Sequence, residues 1–462
     1  MTTGMTPQAD AFGLGLGRSV DTPASAAALC CEILVIGGGP AGATAAGMLA
    51  ARGYRVVLLE KARHPRFHIG ESLLPANLPL LEIFGVGAEV RAIGMQKWGA
   101  EFVSAQDGRS QEFEFSFAWN KSLPFAFHVR RSEFDEILIR RAAALGAEVR
   151  EGCCVRRVDL ADGRQGVRVL ATDEDGTPHC WRADCVVDAS GRDTLLGSQL
   201  RVKRRNRRHN SAAIYAHFAG AFRDTGKRAG HISIFWFDHG WFWYIPLADG
   251  ATSVGAVVWP RYMKKRSGTL ADFFLASIAT CPPLAERLAG ASLLTEVEAT
   301  GNYSYCCDHA HAGNYFLIGD AYAFIDPVFS SGVMMAMQSG MAVAETIDGC
   351  RKDPATRNIA LKRFDRLMRR GPRQFSWFIY RVTTPAMREL FLGPRNLLRM
   401  QEALLSLLAG DIYGSTPIWP SLRAFKVLYY AVCILHLPST LRAARRRRRN
   451  IRPLDSASAA GD

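Results

Sequence analysis

A glycine-rich turn near the N-terminus has the spacing that holds a diphosphate. Its residues read Gly37-Gly38-Gly39-Pro40-Ala41-Gly42. The first glycine of such a turn permits the sharp bend, the second lets the backbone approach a pyrophosphate, and the third allows a helix to pack closely on a strand. Glu60 ends the next apolar run, where a carboxylate accepts hydrogen bonds from a ribose. The spacing therefore predicts a dinucleotide site.

The elements around the turn agree with this interpretation. The apolar run at residues 32–36 predicts a buried parallel strand, residues 41–52 an alanine-rich helix, and residues 55–59 a second strand. These three elements form a complete βαβ unit. The start of the helix then presents free N–H groups and a favourable dipole to the phosphates.

The rest of the chain predicts an α/β fold built from two interleaved parts. The expected elements are buried strands at 185–189 and 315–318, an antiparallel sheet within 210–260, helices at 132–145 and from the turn Gly319-Asp320 to about Ile347, and helices after Asp353. Strands of the nucleotide-binding part thus lie on both sides of the antiparallel segment. The pattern indicates a discontinuous Rossmann-type domain with an inserted antiparallel-sheet substrate domain and a C-terminal helical region.

Besides the glycine turn and Glu60, the chain contains the segments Arg131-Ser132-x-Phe134-Asp135, Asp188-Ala189-Ser190-Gly191 and Gly319-Asp320. Together these segments resemble the FAD-dependent monooxygenase superfamily typified by para-hydroxybenzoate hydroxylase. The resemblance implies FAD as the cofactor, contact of Asp320 with the ribityl chain, and a position near the cofactor for Arg131. For Asp320 a helix N-cap is the alternative role, and one residue can serve both. The cofactor-binding candidates are Gly37, Gly39, Pro40, Ala41, Gly42, Glu60, Lys61, Arg131, Asp320 and Gly332.

Three further segments narrow the resemblance: Trp241-Phe242-Trp243-Tyr244-Ile245-Pro246, the loop Gly70-Glu71-Ser72-Leu73-Leu74-Pro75, and the segment 324–332. The first fits Trp-x-Trp-x-Ile-Pro, and all three resemble the flavin-dependent halogenases within that superfamily. The resemblance covers roughly residues 30–415. It implies that FADH2, oxygen and chloride or bromide give hypohalous acid through a flavin hydroperoxide, and that a lysine handles the halogen in a separate pocket.

Lys97 stands where that family carries its catalytic lysine, 27 residues after Gly70. A desolvated amine is nucleophilic near neutral pH, and an ammonium donates a hydrogen bond to hypohalous acid. An isolated lysine is more often a solvated surface residue, which is the alternative. Ser331 and Gly332 are the halide-binding candidates, because N–H groups at a helix start attract anions.

The Trp-x-Trp-x-Ile-Pro segment is the expected barrier between flavin and substrate. Trp241, Trp243, Ile245 and Pro246, together with Phe329 of the segment 324–332, are expected to wall off the substrate and so suppress direct hydroxylation. The alternative is that the two indoles are same-face neighbours on a half-buried strand. Because proline is rare inside central strands, Pro246 is expected to end this one.

Phe329 marks a departure from the tryptophan halogenases. They carry glutamate in a Pro-x-Glu-Ser segment, whereas this chain reads Pro327-Val328-Phe329-Ser330. The resemblance therefore favours the phenol and pyrrole branch, whose substrates have electron-rich rings and in many members are tethered to an acidic carrier protein. It also implies a separate flavin reductase as a partner.

Two other activities remain open on the same fold. The first is an FAD-dependent aromatic hydroxylase, a monooxygenase that reduces its own flavin with NADPH. The second is a flavin-dependent prenyl-chain reductase. The lysine and the double-tryptophan segment favour the halogenase.

The net charge of +14 is concentrated in basic clusters at 201–208 and 442–449. No nucleic-acid module accompanies them, so no nucleic-acid partner is expected. The apolar segment 424–437 before the second cluster predicts either an interfacial anchor in peripheral contact with a membrane or a docking helix for an acidic partner. A helix over the pocket mouth, followed by a loose basic tail, is the alternative.

Cysteine usage and the N-terminus bound the environment. The 11 cysteines lack Cys-x-x-Cys spacing, so no metal is expected, and no secretory pattern opens the chain, so the expected location is cytoplasmic. The expected domains are a disordered leader (1–29), the FAD-binding domain (30–205 and 301–350), a β-sheet substrate domain (206–300), a helical region (351–440) and a basic tail (441–462).

Overall fold

A computed structural model describes residues 29–160 and 166–451, without the side chains of 207, 208, 302 and 303. The expected leader lies outside the described residues except for its last position, as do residues 452–462 of the expected tail. The strands are β1 Leu29–Ile36, β2 Val56–Glu60, β3 Met95–Lys97, β4 Gly99–Ser104, β5 Ser110–Glu114, β6 Ala126–His128, β7 Glu148–Glu151, β8 Cys153–Leu160, β9 Val167–Asp173, β10 Pro178–Asp188, β11 Lys203–Ala219, β12 Ile232–Phe237, β13 Gly240–Pro246, β14 Thr252–Val258, β15 Ser292–Leu293, β16 Glu298–Cys307, β17 His311–Ala312, β18 Tyr315–Leu317 and β19 Ala323–Phe324. The α-helices are α1 Pro40–Ala50, α2 Asn77–Phe84, α3 Gly87–Ile93, α4 Arg131–Ala144, α5 Leu195–Gln199, α6 Pro260–Met263, α7 Leu270–Ala279, α8 Pro282–Arg287, α9 Gly332–Lys352, α10 Arg357–Ile379, α11 Pro385–Leu392, α12 Met400–Leu408, α13 Trp419–Leu435 and α14 Leu437–Ile451.

The first sheet is the nucleotide-binding layer. Its strand order is β17-β18-β10-β1-β2-β7, and the pairs from β18 to β7 along this path are parallel. Strand β9 adds to β10 and β8 adds to β9, both antiparallel. Continuous apolar runs such as β2, buried throughout, suit a parallel sheet covered on both faces. Helix α1 packs against α4 and α9. The expected βαβ unit and α/β fold class are confirmed.

The second sheet runs in the order β19-β16-β11-β14-β13-β12-β4-β5, with β15 beside β11. Its pairs are antiparallel except β4 with β12. The sheet extends beyond the expected range 206–300, since β4 and β5 lie at 99–114 and β19 at 323–324. Strands β4 and β12 are separated by more than a hundred residues, so tertiary packing determines their pairing and no local sequence pattern predicts it.

The long helix begins later than expected. It starts at Gly332 and ends at Lys352, whereas the turn at Gly319 opens only a single 3₁₀ turn. Pro327 and the left-handed Ser330 (φ 55°) prevent a continuous helix through the intervening residues. Asp320 therefore caps no α-helix: the residue before the 3₁₀ turn is Ile318.

The C-terminal region is helical as far as Ile451, so residues 441–451 of the expected loose tail form the end of α14. Helices α13 and α14 meet at a bend of 98°. Within the described part of the chain, no single helix has the length and apolarity to cross a membrane, although this bent pair passes by length and composition taken together.

Candidate active site

The glycine turn joins β1 to α1 in a geometry that excludes side chains at two positions. Gly37 has φ 98°, and a Cβ there would lie 2.5 Å from the Ala189 carbonyl oxygen. A Cβ on Gly42 would lie 1.8 Å from the Gly37 carbonyl oxygen. Gly39 differs: the nearest atom to a Cβ there is an Arg66 guanidinium nitrogen at 3.8 Å. An added side chain would therefore clash with the protein backbone at Gly37 and Gly42, whereas Gly39, in the middle of the turn, has free space beside it.

Glu60 is fixed at the end of β2 against this turn. Its Oε2 accepts a hydrogen bond from the Gly38 N–H at 2.5 Å, and its Oε1 accepts one from the Ala62 N–H at 2.9 Å. Lys61 points elsewhere, because its exposed ammonium pairs with Asp193. The structure therefore brings the Glu60 carboxylate to the nucleotide turn and holds Lys61 in a surface ion pair.

Arg131 and Asp320 carry the charges on the flavin side of the expected site. Arg131 forms a bidentate pair with Asp135 at 2.8 and 2.9 Å, and it donates to the Ile69 carbonyl oxygen at 3.0 Å. Burial raises the pKa of Asp320 to about 6, and the positive charges of Arg192 and Arg131 oppose that rise. A carboxyl held in this environment is suited to accept hydrogen bonds from a polar ligand.

These residues fit FAD. A diphosphate needs the close backbone approach that Gly39 leaves open, and the start of α1 has Pro40 at its first turn and no side-chain cap to compete for the N–H groups. Glu60 lies where a ribose is held in such folds. The residues present thus match the diphosphate and a ribose of a dinucleotide.

Helix α9 begins beside this site with an open first turn. A Cβ on Gly332 would meet no atom within 4 Å. Ser331 is buried and makes no capping hydrogen bond with its side chain, although its carbonyl oxygen accepts from Met335. The first N–H groups of a helix lack intrahelical partners, so this turn is an anion-attracting position.

Lys97 is buried, with 2% of its side chain exposed. It ends β3, whose pairing with β6 places it opposite Ala126. The ammonium donates to Ser72 Oγ at 2.9 Å and to the Leu73 carbonyl oxygen at 3.0 Å, and lies 5.3 Å from the Phe115 ring centre. Burial lowers the pKa of Lys97 to about 7. The surface-lysine alternative is therefore wrong.

Strand β13 carries the two expected barrier tryptophans and ends at Pro246, as predicted. Trp241, Trp243 and Ile245 face the main core, and the ring centres of the two tryptophans lie 6.0 Å apart. Phe242 and Tyr244 face a separate apolar cluster under α7 and α8. The two indoles are therefore same-face neighbours, as the alternative had it, but on a strand that is buried on both faces and not half-buried.

Aromatic rings connect this strand to Phe329. Trp236 lies opposite Trp241 in the sheet and stacks on Phe102 at 5.3 Å between ring centres. Phe391 contacts Phe102 at 4.8 Å and lies parallel to Phe329 at 6.5 Å. The tryptophan strand and the segment before α9 thus share one apolar wall.

Several polar residues of the site have no recognisable signal in the sequence. Arg66 lies beside the nucleotide turn, 3.2 Å from Asp135. Glu71 and His217 form a buried pair at 2.8 Å next to Ser72. The loop 70–75 was singled out by resemblance, but its bonds to Lys97 and His217 depend on long-range packing.

The chain matches the tryptophan halogenase family over residues 32–122 and 105–384. A tryptophan 2-halogenase of Chondromyces crocatus is 35% identical over 332 residues, 68% of this chain and 60% of that protein. A 1H-pyrrole-2-carbonyl-[peptidyl-carrier protein] chlorinase of Pseudomonas fluorescens is 29% identical over 414 residues, 83% of this chain and 90% of that one. The match thus spans less than two thirds of the first of these relatives.

The solved structures agree with the sequence relatives. The myxobacterial chondrochloren halogenase CndH, an FAD-dependent halogenase, superposes with a TM-score of 0.72 at 32% identity, covering 88% of this chain and 97% of that one. This chain therefore belongs to the family of flavin-dependent halogenases, whose members use FAD and a halide.

Proposed function

We propose that this protein is an FADH2-dependent halogenase that transfers chloride or bromide to an electron-rich aromatic ring, a phenol or a pyrrole. The buried, desolvated amine of Lys97 is the observation that carries the proposal. It lies on a fold of the halogenase family, behind the loop that supplies both of its acceptors. Burying an ionisable amine costs free energy of folding, and a hydroxylase has no step that needs a buried lysine.

The nucleotide turn, Glu60 and the start of α1 would hold FAD, with Arg131 and Asp320 on the flavin side. Bound reduced FAD, with oxygen and halide, supplies hypohalous acid. The open first turn of α9 would hold the halide, with Ser331 and Gly332 as its nearest residues. Backbone N–H groups suit this role because they donate hydrogen bonds to an anion without transferring a proton to it.

Lys97 would position the hypohalous acid and polarise its oxygen. The ring carbon then forms a bond to the halogen as the oxygen–halogen bond breaks, and the hydroxide leaves as water with the ring proton. Ser72 and Leu73 hold the nitrogen in place, so that proton exchange at Nζ does not move the side chain. A pKa near 7 lets the amine gain or lose a proton at working pH.

The aromatic wall favours a substrate that activates its own ring. Phe329 replaces the glutamate of the tryptophan halogenases and is buried against Phe391, so no carboxylate faces the ring from this position. A phenolate or a pyrrole nitrogen supplies that electron density itself. A free substrate and one tethered to an acidic carrier protein are both to be tested, because a relative's name specifies a carrier-bound pyrrole.

The decisive experiment compares Lys97→Ala with the wild type. Each enzyme receives FAD, a separate flavin reductase, NADH, bromide or chloride, and a panel of phenols and pyrroles, free or carrier-bound. We expect halogenated product from the wild type and a loss of at least about 100-fold in Lys97→Ala, the scale of a positioned acid–base group. Flavin oxidation continues in both, and mass spectrometry detects the halogen isotope pattern.

Lys121→Ala is the matched control, because Lys121 is exposed and donates to the Ser116 carbonyl oxygen at the surface. Its product yield should equal that of the wild type. Hydroxylated product, or NADPH oxidation without an added reductase, would instead identify a monooxygenase. Undiminished halogenation by Lys97→Ala would remove the lysine from the mechanism.

A further inference from the structure

The bend between α13 and α14 exposes a cluster of large apolar side chains. Val427 and Ile434 are each 71% exposed and Leu435 is 78% exposed. We call this surface the elbow, formed by Val427, Tyr430, Ile434, Leu435, Leu437 and Leu441. Six exposed apolar residues on two consecutive helices differ from the single exposed apolar residues that are ordinary on protein surfaces.

The elbow lies on the outer face of α13. Val427, Tyr430 and Ile434 recur at helical spacing and form one exposed stripe, whereas Phe425 and Tyr429 on the other side are buried. The apolar stripe is therefore additional to the face that packs on the protein.

A basic groove runs beside the elbow between α10 and α13. It is a cavity of about 510 Å³ whose lining includes Arg373, Trp377, Arg381, Arg423 and Lys426, with no Asp or Glu among the described residues that line it. The Lys426 ammonium lies 5.1 Å from the Trp377 ring centre. The pKa of Lys426 is lowered, first by burial and then by the neighbouring arginines. An anion would relieve this repulsion.

Tyr430 joins the groove to the elbow. Its hydroxyl oxygen accepts from Trp377 Nε1 at 3.4 Å and from Arg381 at 3.3 Å, while about half of its side chain is exposed. A surface that changes from cationic to aromatic to aliphatic over one helix has the order of a bilayer interface, with charges at the headgroups and apolar residues below.

The charge of the region has one sign. Residues 412–451 contain eight Lys and Arg and no Asp or Glu. Helix α14 is nevertheless tied to the body, since Arg447 contacts His209 at 3.2 Å and Arg446 lies 3.5 Å from Asp238. Both helices are held, so the elbow is a projecting corner.

We propose that the groove and the elbow form a docking site for an anionic phospholipid bilayer, in which the groove binds a headgroup phosphate and the elbow enters the acyl boundary. Arginine and lysine bind phosphate by charge-assisted hydrogen bonds, and interfacial helices combine a cationic side with buried apolar residues. The exposed aliphatic corner favours lipid over an acidic protein, whose surface offers charge but no acyl layer.

The test is co-sedimentation of the FAD-loaded full chain with vesicles. Vesicles of phosphatidylcholine with about 30 mol% phosphatidylglycerol, whose negative surface potential attracts basic segments, are compared with pure phosphatidylcholine. We expect preferential binding to the anionic vesicles. The variant Ile434→Glu should lower partitioning about tenfold, the value of one buried aliphatic side chain. Lys426→Gln should lower it about fivefold, the value of one cation at such a surface.

Ile359→Glu is the matched control, since Ile359 is 66% exposed on α10 and about 27 Å along the helix from Trp377. It should bind as the wild type does, and equal melting temperatures and flavin absorbance establish that all variants are folded. The proposal is overturned if the wild type does not sediment with anionic vesicles, or if Ile434→Glu binds them undiminished. It is also overturned if an acidic carrier protein alone is bound and these variants abolish that binding.

Discussion

At the scale of single residues, the site holds ionisable groups in buried positions, away from the water that would normally solvate them. The Lys97 amine has two hydrogen-bond acceptors and an aromatic ring around it. Its pKa is lowered from 10.5 to about 7 because burial disfavours the ammonium. The opposite shift at Asp320, also caused by burial, keeps a carboxyl partly protonated near pH 6. Both shifts have measurable consequences.

Lys97 should make stability depend on pH. Between about pH 7 and 10 the unfolded chain binds the proton that the folded chain has lost, so the free energy of unfolding rises with pH by up to about 1.4 kcal/mol per unit. Lys97→Met removes this term. Urea unfolding at pH 7.5 and 8.5 should show the wild type gaining stability relative to Lys97→Met, and parallel curves would contradict the lowered pKa.

Asp320 should make FAD affinity depend on pH. In the proposed site the ribityl hydroxyls would donate to the Asp320 carboxylate, so FAD would favour its ionised form, whereas the free protein is protonated below its pKa of about 6. Affinity should therefore rise with pH toward 6, by up to about tenfold per unit, and level off above. Flavin fluorescence quenching at pH 5, 6 and 8 measures this. Asp320→Asn should lose the slope, and the exposed Asp107→Asn should retain it.

At the scale of elements, the close contact between the turn after β1 and the first turn of α1, which we call the joint, leaves no room for a side chain at Gly42. Gly42 lies in the first turn of α1, where a Cβ would meet the Gly37 carbonyl oxygen. Gly349, near the end of α9, has no atom within 4 Å of such a Cβ. Both glycines have a helical backbone conformation. The two positions therefore differ in their surroundings and not in their backbone.

The two glycines allow a matched test of the joint. Gly349→Ala should stabilise the protein by roughly 0.5–1 kcal/mol, because alanine is the better helix former. Gly42→Ala should instead weaken FAD binding and lower the melting temperature, since α1 must move away from β1. Thermal melts with and without FAD measure both effects, and equal behaviour of the two variants would show that the close approach is unimportant.

The elements that the sequence predicted well are those with strong local signals. The strands and helix around Gly37–Gly42 follow from apolar runs and glycine spacing, and the end of β13 follows from Pro246. The apolar pattern alone starts the long helix too early, at Gly319, because Pro327 and the left-handed Ser330 interrupt it, whereas the resemblance places a helix start at Ser331 and Gly332. The partners of Lys97 were not predictable, since the pairing of β3 with β6 sets them.

At the scale of the whole molecule, the chain alternates between the two sheets. The sequence β4-β5, then β7 to β10, then β11 to β16, then β18 passes from one sheet to the other several times. The apolar wall of Trp236, Phe391 and Phe329 therefore draws on one strand, one C-terminal helix and the segment before α9. No composition shift marks these crossings, which is why residues 99–114 were not expected in the second sheet.

This alternation has a consequence during protein synthesis. The last three residues of β10 pair with β18, which lies roughly 130 residues further along the chain. At a ribosome speed of about 5–20 residues per second, that interval lasts on the order of 6–26 s. During it the nascent sheet presents an unpaired strand edge at Val186, Val187 and Asp188, the kind of surface that aggregates or recruits chaperones. Yield in expression should therefore depend on translation speed and chaperone supply between residues 188 and 315 more than on the stability of the finished enzyme.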